Sequence, residues 1–353
     1  MVLIYPPKKI LLFLVLIAII SGLYLKTNFK IPATQSNNLS PPKILSQEEF
    51  INLNPQVQYK YIEDLAGQIG VEKTWQFINQ SYQNNQLGQS RAHDLSHLIG
   101  GIIYKKKGFA GLSVCTPNFA FGCYHGFLDE AFSQDTKNLL NAERSCEQLG
   151  EVNTGPVASC IHGIGHGLAS FYQTRDIESS LKECDRLNTG QTFCYDGVFM
   201  EFVRSAAPSF YDKTDPLSPC DKLPNVYTSS CGRNQPQVLI QRFNLSFLDV
   251  VNICASSPNQ NLIKSCFDAL GFYTVTLSNG DVNNITKLCG DPQITNFNQK
   301  CLKAAAGELV FQNFPGWSNS SQKICLSQIN QSDQEDCLQY TRQLANEYHR
   351  ISP

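Results

Sequence analysis

The chain has 353 residues, a formal net charge of −2 and only 16% charged residues. That length allows one large domain or two ordinary ones, and the near-neutral charge supplies none of the basic footprint that nucleic-acid binding requires. Fourteen cysteines occur without a single Cys-x-x-Cys pair, which excludes zinc-ribbon and thioredoxin-type spacings and points to structural disulfides in an oxidising compartment.

At the N-terminus, Lys8 and Lys9 precede Ile10–Leu25, a run without a charge that Lys26 ends. As a helix this run spans roughly 24 Å, short for a membrane helix and long for the core of a signal peptide. No Ala-x-Ala site and no cysteine follows it, so an uncleaved signal anchor, with residues 1–9 cytoplasmic and 10–25 a transmembrane helix, is expected ahead of the alternative, a peptide cleaved at the poor site Ser21-Gly22. Residues 26–45, with Ser36-Asn-Asn-Leu-Ser-Pro-Pro42, have the composition of a flexible linker. The remainder, residues 46–350, is then expected outside the cytosol, at a cell surface or in a periplasm-like space.

Ser46-Gln-Glu-Glu49 has the form of a helix capping box and opens the folded part. Val57–Ile69 and Val71–Tyr82 both carry helical periodicity, and a turn at 86–88 leads into a helix bearing His93 and His97. From there the cysteines set a rhythm. Taken as consecutive pairs they are 115–123, 146–160, 184–194, 220–231, 254–266, 289–301 and 325–337, and the second members recur every 34 to 37 residues. A fixed period near 36 is the mark of a repeat architecture. Each unit reads as helix, short loop, helix, for example Ile177–Leu187 then Thr192–Ser205, with one cysteine near the end of the first helix and one near the start of the second. A disulfide within each hairpin is the natural pairing. The expected fold is all-α: hairpin repeats, seven of them stapled, stacked into a superhelix or toroid. Each hairpin is too small to bury a core alone, so stacking and stapling must together supply its stability.

The units differ in chemistry. Cys160-Ile-His-Gly-Ile-Gly-His-Gly-Leu168 places His162 and His166 four residues apart, hence on one helical face. Cys123-Tyr-His-Gly-Phe-Leu-Asp-Glu130 puts His125 and Asp129 at the matching places, Cys194-Tyr-Asp-Gly197 puts Asp196 there, and His93-Asp-Leu-Ser-His97 repeats the spacing without a cysteine. Five of the six histidines fall between positions 93 and 166. Imidazoles at i, i+4 form a bidentate metal platform that carboxylates can complete. The expected metal ligands are His93, His97, His125, Asp129, His162 and His166. Asp196 or Glu201 would act as catalytic base, although Glu130 and Glu201 lie about 100° further round their helices. With the cysteines oxidised, N and O ligands favour zinc, iron, manganese or copper(II). The later units have Arg233, Asp268, Lys303 and Gln339 at the histidine position. Residues 93–205 therefore form the chemical half, and 206–350 a structural half or a surface for a protein or peptide partner. Histidines that only pack between helices, with Gly126, Gly163 and Gly197 permitting close approach, are the competing reading.

The period and the hairpin disulfide resemble those of the secreted, cysteine-rich relatives of the tetratricopeptide repeats, a resemblance that implies an α/α superhelix binding partners. The Cys-Tyr-His-Gly and Cys-Ile-His-Gly tetrapeptides are similar to the Cys-His-Gly motifs of the lanthipeptide cyclases, zinc-bearing α-toroids, where the cysteines themselves hold zinc. Here each cysteine has an apparent disulfide mate. Two functions follow as expectations: a membrane-anchored metal-dependent hydrolase or redox enzyme, or a non-enzymatic cell-surface scaffold. A groove in which the histidines meet would favour the first.

Overall fold

Ser46 opens the first helix as the capping box requires. Its hydroxyl accepts from the Glu49 N–H at 3.2 Å, and the Glu49 carboxylate accepts from the Ser46 N–H at 2.8 Å. The computed structural model describes residues 44–83, 88–151, 155–172, 176–205, 212–312 and 314–349. The expected anchor at 10–25 and nearly all of the linker lie outside these. No helix among the described residues is long and apolar enough to cross a membrane.

The described residues are all helical, apart from turns and one isolated bridge. The helices are α1 (Gln47–Ile51), α2 (Pro55–Gln68), α3 (Val71–Tyr82), α4 (Gln89–Lys107), α5 (Gly122–Phe132), α6 (Leu139–Glu147), α7 (Gly155–Phe171) and α8 (Ile177–Cys184). They continue as α9 (Gln191–Ser205), α10 (Asn225–Gln237), α11 (Phe247–Ala255), α12 (Gln260–Leu277), α13 (Val282–Cys289), α14 (Asn298–Phe311), α15 (Trp317–Leu326) and α16 (Gln331–His349). The mostly longer second helices of the hairpins pack on one another in succession: α4 on α5, then α7, α9, α10, α12, α14 and α16. Each first helix, such as α6 or α8, leans on its own partner. This is a repeat array in which the second helices make the continuous layer.

All seven expected disulfides are present, from Cys115–Cys123 to Cys325–Cys337, with no free cysteine. Their number and regular placement suggest an extracellular, oxidising environment. The array also bends: Phe121, in the first stapled unit, stacks on Phe311, in the sixth, with ring centroids 6.0 Å apart.

Hydrophobic spacing decides which face each histidine occupies. On α4, Ala92, Leu95, Ile99 and Ile103 form a fully buried stripe at three- and four-residue intervals. His93 and His97 flank it, on the side turned to α5. On α7, Val157, Cys160, Ile161, Ile164 and Leu168 are buried in the same manner, and His162 and His166 lie between its two neighbours. Small residues then close the gaps. A Cβ added at Gly126 of α5 would overlap the His97 carbonyl oxygen of α4, and one at Gly197 of α9 would overlap that of His162 on α7. Gly100 and Gly165 meet the carbonyls of Cys123 and Cys194 in the same way. These glycines let the histidine-bearing backbones approach more closely than any side chain would permit.

Candidate metal centre

Five histidines from three helices converge. His125 of α5 is the central ring: its centroid is 5.9 and 5.5 Å from His93 and His97 on one side, and 5.4 and 4.7 Å from His162 and His166 on the other. Ring nitrogens of His93, His97 and His125 lie within 4.8 Å of one another, and so do those of His125, His162 and His166. Either triad could hold a metal ion. His125 and His166 are buried, with exposures of 6% and 0%, while His93, His97 and His162 are half-buried.

The partners on the outer nitrogens fix the tautomers. His166 Nδ1 donates to Glu201 Oε2 at 3.0 Å, and His93 Nδ1 donates to the Phe119 carbonyl at 2.8 Å. Each therefore presents a bare Nε2 lone pair inward. Those lone pairs face the Nε2 of the other histidine on the same helix: His162–His166 at 3.1 Å and His93–His97 at 3.2 Å. A proton or a metal ion must lie between each facing pair. A ring N–H of one histidine can serve each facing pair, and with His125 converging as well, three nitrogens surround a position that a divalent ion could occupy. His97 Nδ1 stands 3.5 Å from Asp129 Oδ2. Carboxylate or carbonyl behind imidazole is the arrangement that orients metal-ligating histidines.

The Phe119 carbonyl is held in place at a cost. Phe119, Ala120 and Phe121 are consecutive non-glycine residues with φ of 55°, 48° and 61°. Left-handed backbone costs such residues about 1–2 kcal/mol each. This strain sits in the turn that bonds His93 and starts α5.

Electrostatics favour the neutral form of three of the rings. Burial, reinforced by His97, lowers His93 to about 4. Burial and then the four surrounding histidines depress His125 well below the usual range, and burial, His166 and the Arg233 charge do the same for His162. Neutral imidazole is the form that binds a metal. Burial pushes Glu201 up, but its hydrogen bond and charge interaction with His166 leave it below the ordinary value.

The expected site residues sort as follows. His93, His97, His125, His162 and His166 meet, and Asp129 stands directly behind His97. Glu201, ranked below the ligand positions because of its rotation round the helix, is the carboxylate behind His166. Asp196 is buried beside the cluster and forms an ion pair with Arg233 at 2.5 Å, and burial raises it. Arg233, the Phe119 carbonyl and the role of Glu201 were missed as parts of the site. Of these, only Arg233 left a signal, as a charge at the histidine position of the next unit. That position continues as Asp268, flanked by the charges of Arg233 and Lys303, and Lys303 pairs with Asp336 at 2.7 Å.

Of the His93–His97–His125 triad, His97 lines a cavity of about 490 Å³, together with Asp129, Tyr59, Asp94, Lys105 and Glu130. Asp129 Oδ1 is buried and without a hydrogen-bond partner. No protein-family model, no curated protein and no solved structure matches this chain.

Proposed function

We propose that this protein is an extracytoplasmic metal-dependent hydrolase whose reacting ion is held by His93, His97 and His125. The observation that carries the reading is the convergence of three imidazoles, one of which, His97, borders an open cavity, since three protein ligands with a free position distinguish catalytic zinc sites from structural ones. A bound divalent ion acidifies water and polarises an ester, amide or phosphoryl oxygen. The chain's own groups do the rest. Asp129 stands 3.5 Å from His97 Nδ1 through Oδ2 and has Oδ1 without a partner, which supports it as the proton acceptor over Glu201, engaged with His166, and Asp196, engaged with Arg233. Lys105 and Glu130 on the cavity wall, 3.0 Å apart, are placed to contact substrate. The scaffold reading required histidines in separate packing contacts, and their convergence favours chemistry.

The test uses the purified protein stripped with chelator and reloaded with zinc or manganese, assayed on ester, phosphate and peptide substrates. Turnover should need metal and disappear in His97→Ala and Asp129→Asn, with helicity unchanged. Hydrolysis that persists in both variants would overturn the assignment.

A further inference from the structure

Among the described residues the ring nitrogens gather into two triads rather than one set of five, and His125 belongs to both. Resting on the metal reading above, we propose that the protein holds two ions, one on either side of His125, and that the His125 ring bridges them as an imidazolate.

Three observations support this beyond the existence of a site. First, the four other histidines form two separate pairs. His93 and His97 have centroids 4.7 Å apart, His162 and His166 4.9 Å apart, and each pair presents facing Nε2 atoms at a separation that suits two ligands of one ion once the proton between them is displaced. Second, His125 lies between the pairs, and its Nδ1 is buried with no hydrogen-bond partner. If the ring served one ion through Nε2, Nδ1 would remain a buried polar atom without a partner, a costly and rare condition. Bridging gives both nitrogens a ligand bond, and the single ring N–H proton leaves to solvent. Third, each side has its own carboxylate behind a terminal histidine, Asp129 at His97 and Glu201 at His166. These two carboxylates and the imidazolate offset much of the charge of two dications in a desolvated place.

The two positions are not equivalent. His97 and Asp129 side chains are 23% and 33% exposed and line the cavity, whereas His166 is 0% exposed. The outer ion is the one that meets substrate, and the inner ion, linked through His125, tunes and anchors it.

Copper(II) is the probe, because an imidazolate bridge couples two copper spins. The full chain, stripped and then dialysed against copper(II), should retain two ions per chain by elemental analysis. Its electron paramagnetic resonance should be much weaker than that of two isolated copper ions and change with temperature as a coupled pair does. His125→Ala, folded by circular dichroism, should bind less copper, and what it binds should give full uncoupled intensity. Two ions with full additive intensity in the wild type would overturn the bridge. Saturation at one ion would overturn the bridge and leave the metal site standing, and no binding at all would overturn both. The wild-type spectrum decides the matter even if His125→Ala does not fold.

Discussion

The Cα of Gly126 on α5 lies directly against the carbonyl of His97 on α4, where an added methyl would overlap the oxygen. Gly197 on α9 stands in the same relation to His162 on α7. These glycines follow His125 and Asp196 immediately, so in the first of these units the central ring of the cluster and the residue that lets the backbone approach are neighbours in sequence. The close packing that the glycines permit and the convergence of the histidines, competing readings of the sequence, occur together in the same units.

Gly126→Ala tests it. Alanine is the better helix former by up to about 1 kcal/mol, so an isolated helix would gain. Overpacking at the contact costs about 1–3 kcal/mol and forces α5 off α4. The expected outcome is a lower unfolding midpoint together with weaker zinc binding, read by chemical denaturation and calorimetric titration. A more stable variant with unchanged affinity would show that the approach is incidental.

The carboxylates behind the histidines should set affinity rather than stoichiometry. Losing such a partner typically costs 10–100-fold in metal affinity. Glu201→Ala should weaken binding by about that factor, and Glu201→Gln by less, since its carbonyl oxygen still accepts from His166 Nδ1. Equal affinities for all three proteins in competition with a chelator would remove Glu201 from the site.

Acid should destabilise the metal-free protein. His93 titrates at about 4 when folded, and His125 and His162 are also lowered, all chiefly by burial. The unfolded chain takes these protons near pH 6.5, so between about pH 6.5 and 4 it binds more of them than the folded state. Stability therefore falls as pH falls through that window, by roughly 3 kcal/mol for His93 alone. Glu308 works in the opposite sense. Burial raises it to about 7, and its contribution, complete below about pH 4.5, is lost as pH rises to 7. Urea unfolding with chelator present should show the fall towards acid, and Glu308→Gln should steepen it. A flat profile from pH 7 to 4.5 in that variant would contradict neutral buried histidines.

Much of this was legible in the sequence. The period of the cysteines gave the hairpins and all seven disulfides, because a staple across a helix–helix turn demands a short, repeated spacing. The i, i+4 histidines gave the shared face. Legibility ended where partners come from geometry rather than pattern. The Phe119 carbonyl reaches His93 only because three residues adopt left-handed backbone, which nothing in Asn-Phe-Ala-Phe announces. Glu201 lies one residue past the ligand position, and ideal helical phase placed it off the site, yet its longer side chain reaches His166 from the next helix. Whether the rings would meet at one ion or two depended on how far successive helices rotate, and no spacing along the chain encodes that angle.

The staples themselves should be coupled to the site unequally. Cys123 lies two residues before His125 and ties the start of α5 to the turn that holds Phe119, so Cys115–Cys123 fixes the strained segment as well as the central ring. Cys325–Cys337 ties α15 to α16 and touches no histidine in the cluster. Both close short loops, with separations of 8 and 12 residues, and in the chain-entropy model each contributes about 2.5–3 kcal/mol. Removing either pair by paired Cys→Ser substitution should therefore cost similar stability. Zinc affinity should respond to only one of them. Without the first staple the left-handed turn can relax, the Phe119 carbonyl leaves His93 Nδ1, and the orientation of both His93 and His125 is lost. Zinc titration of the two double variants, at a temperature where both remain helical, checks this. Equal loss of affinity in both would mean that the staples support the array as a whole and that the turn has no particular hold on the metal centre.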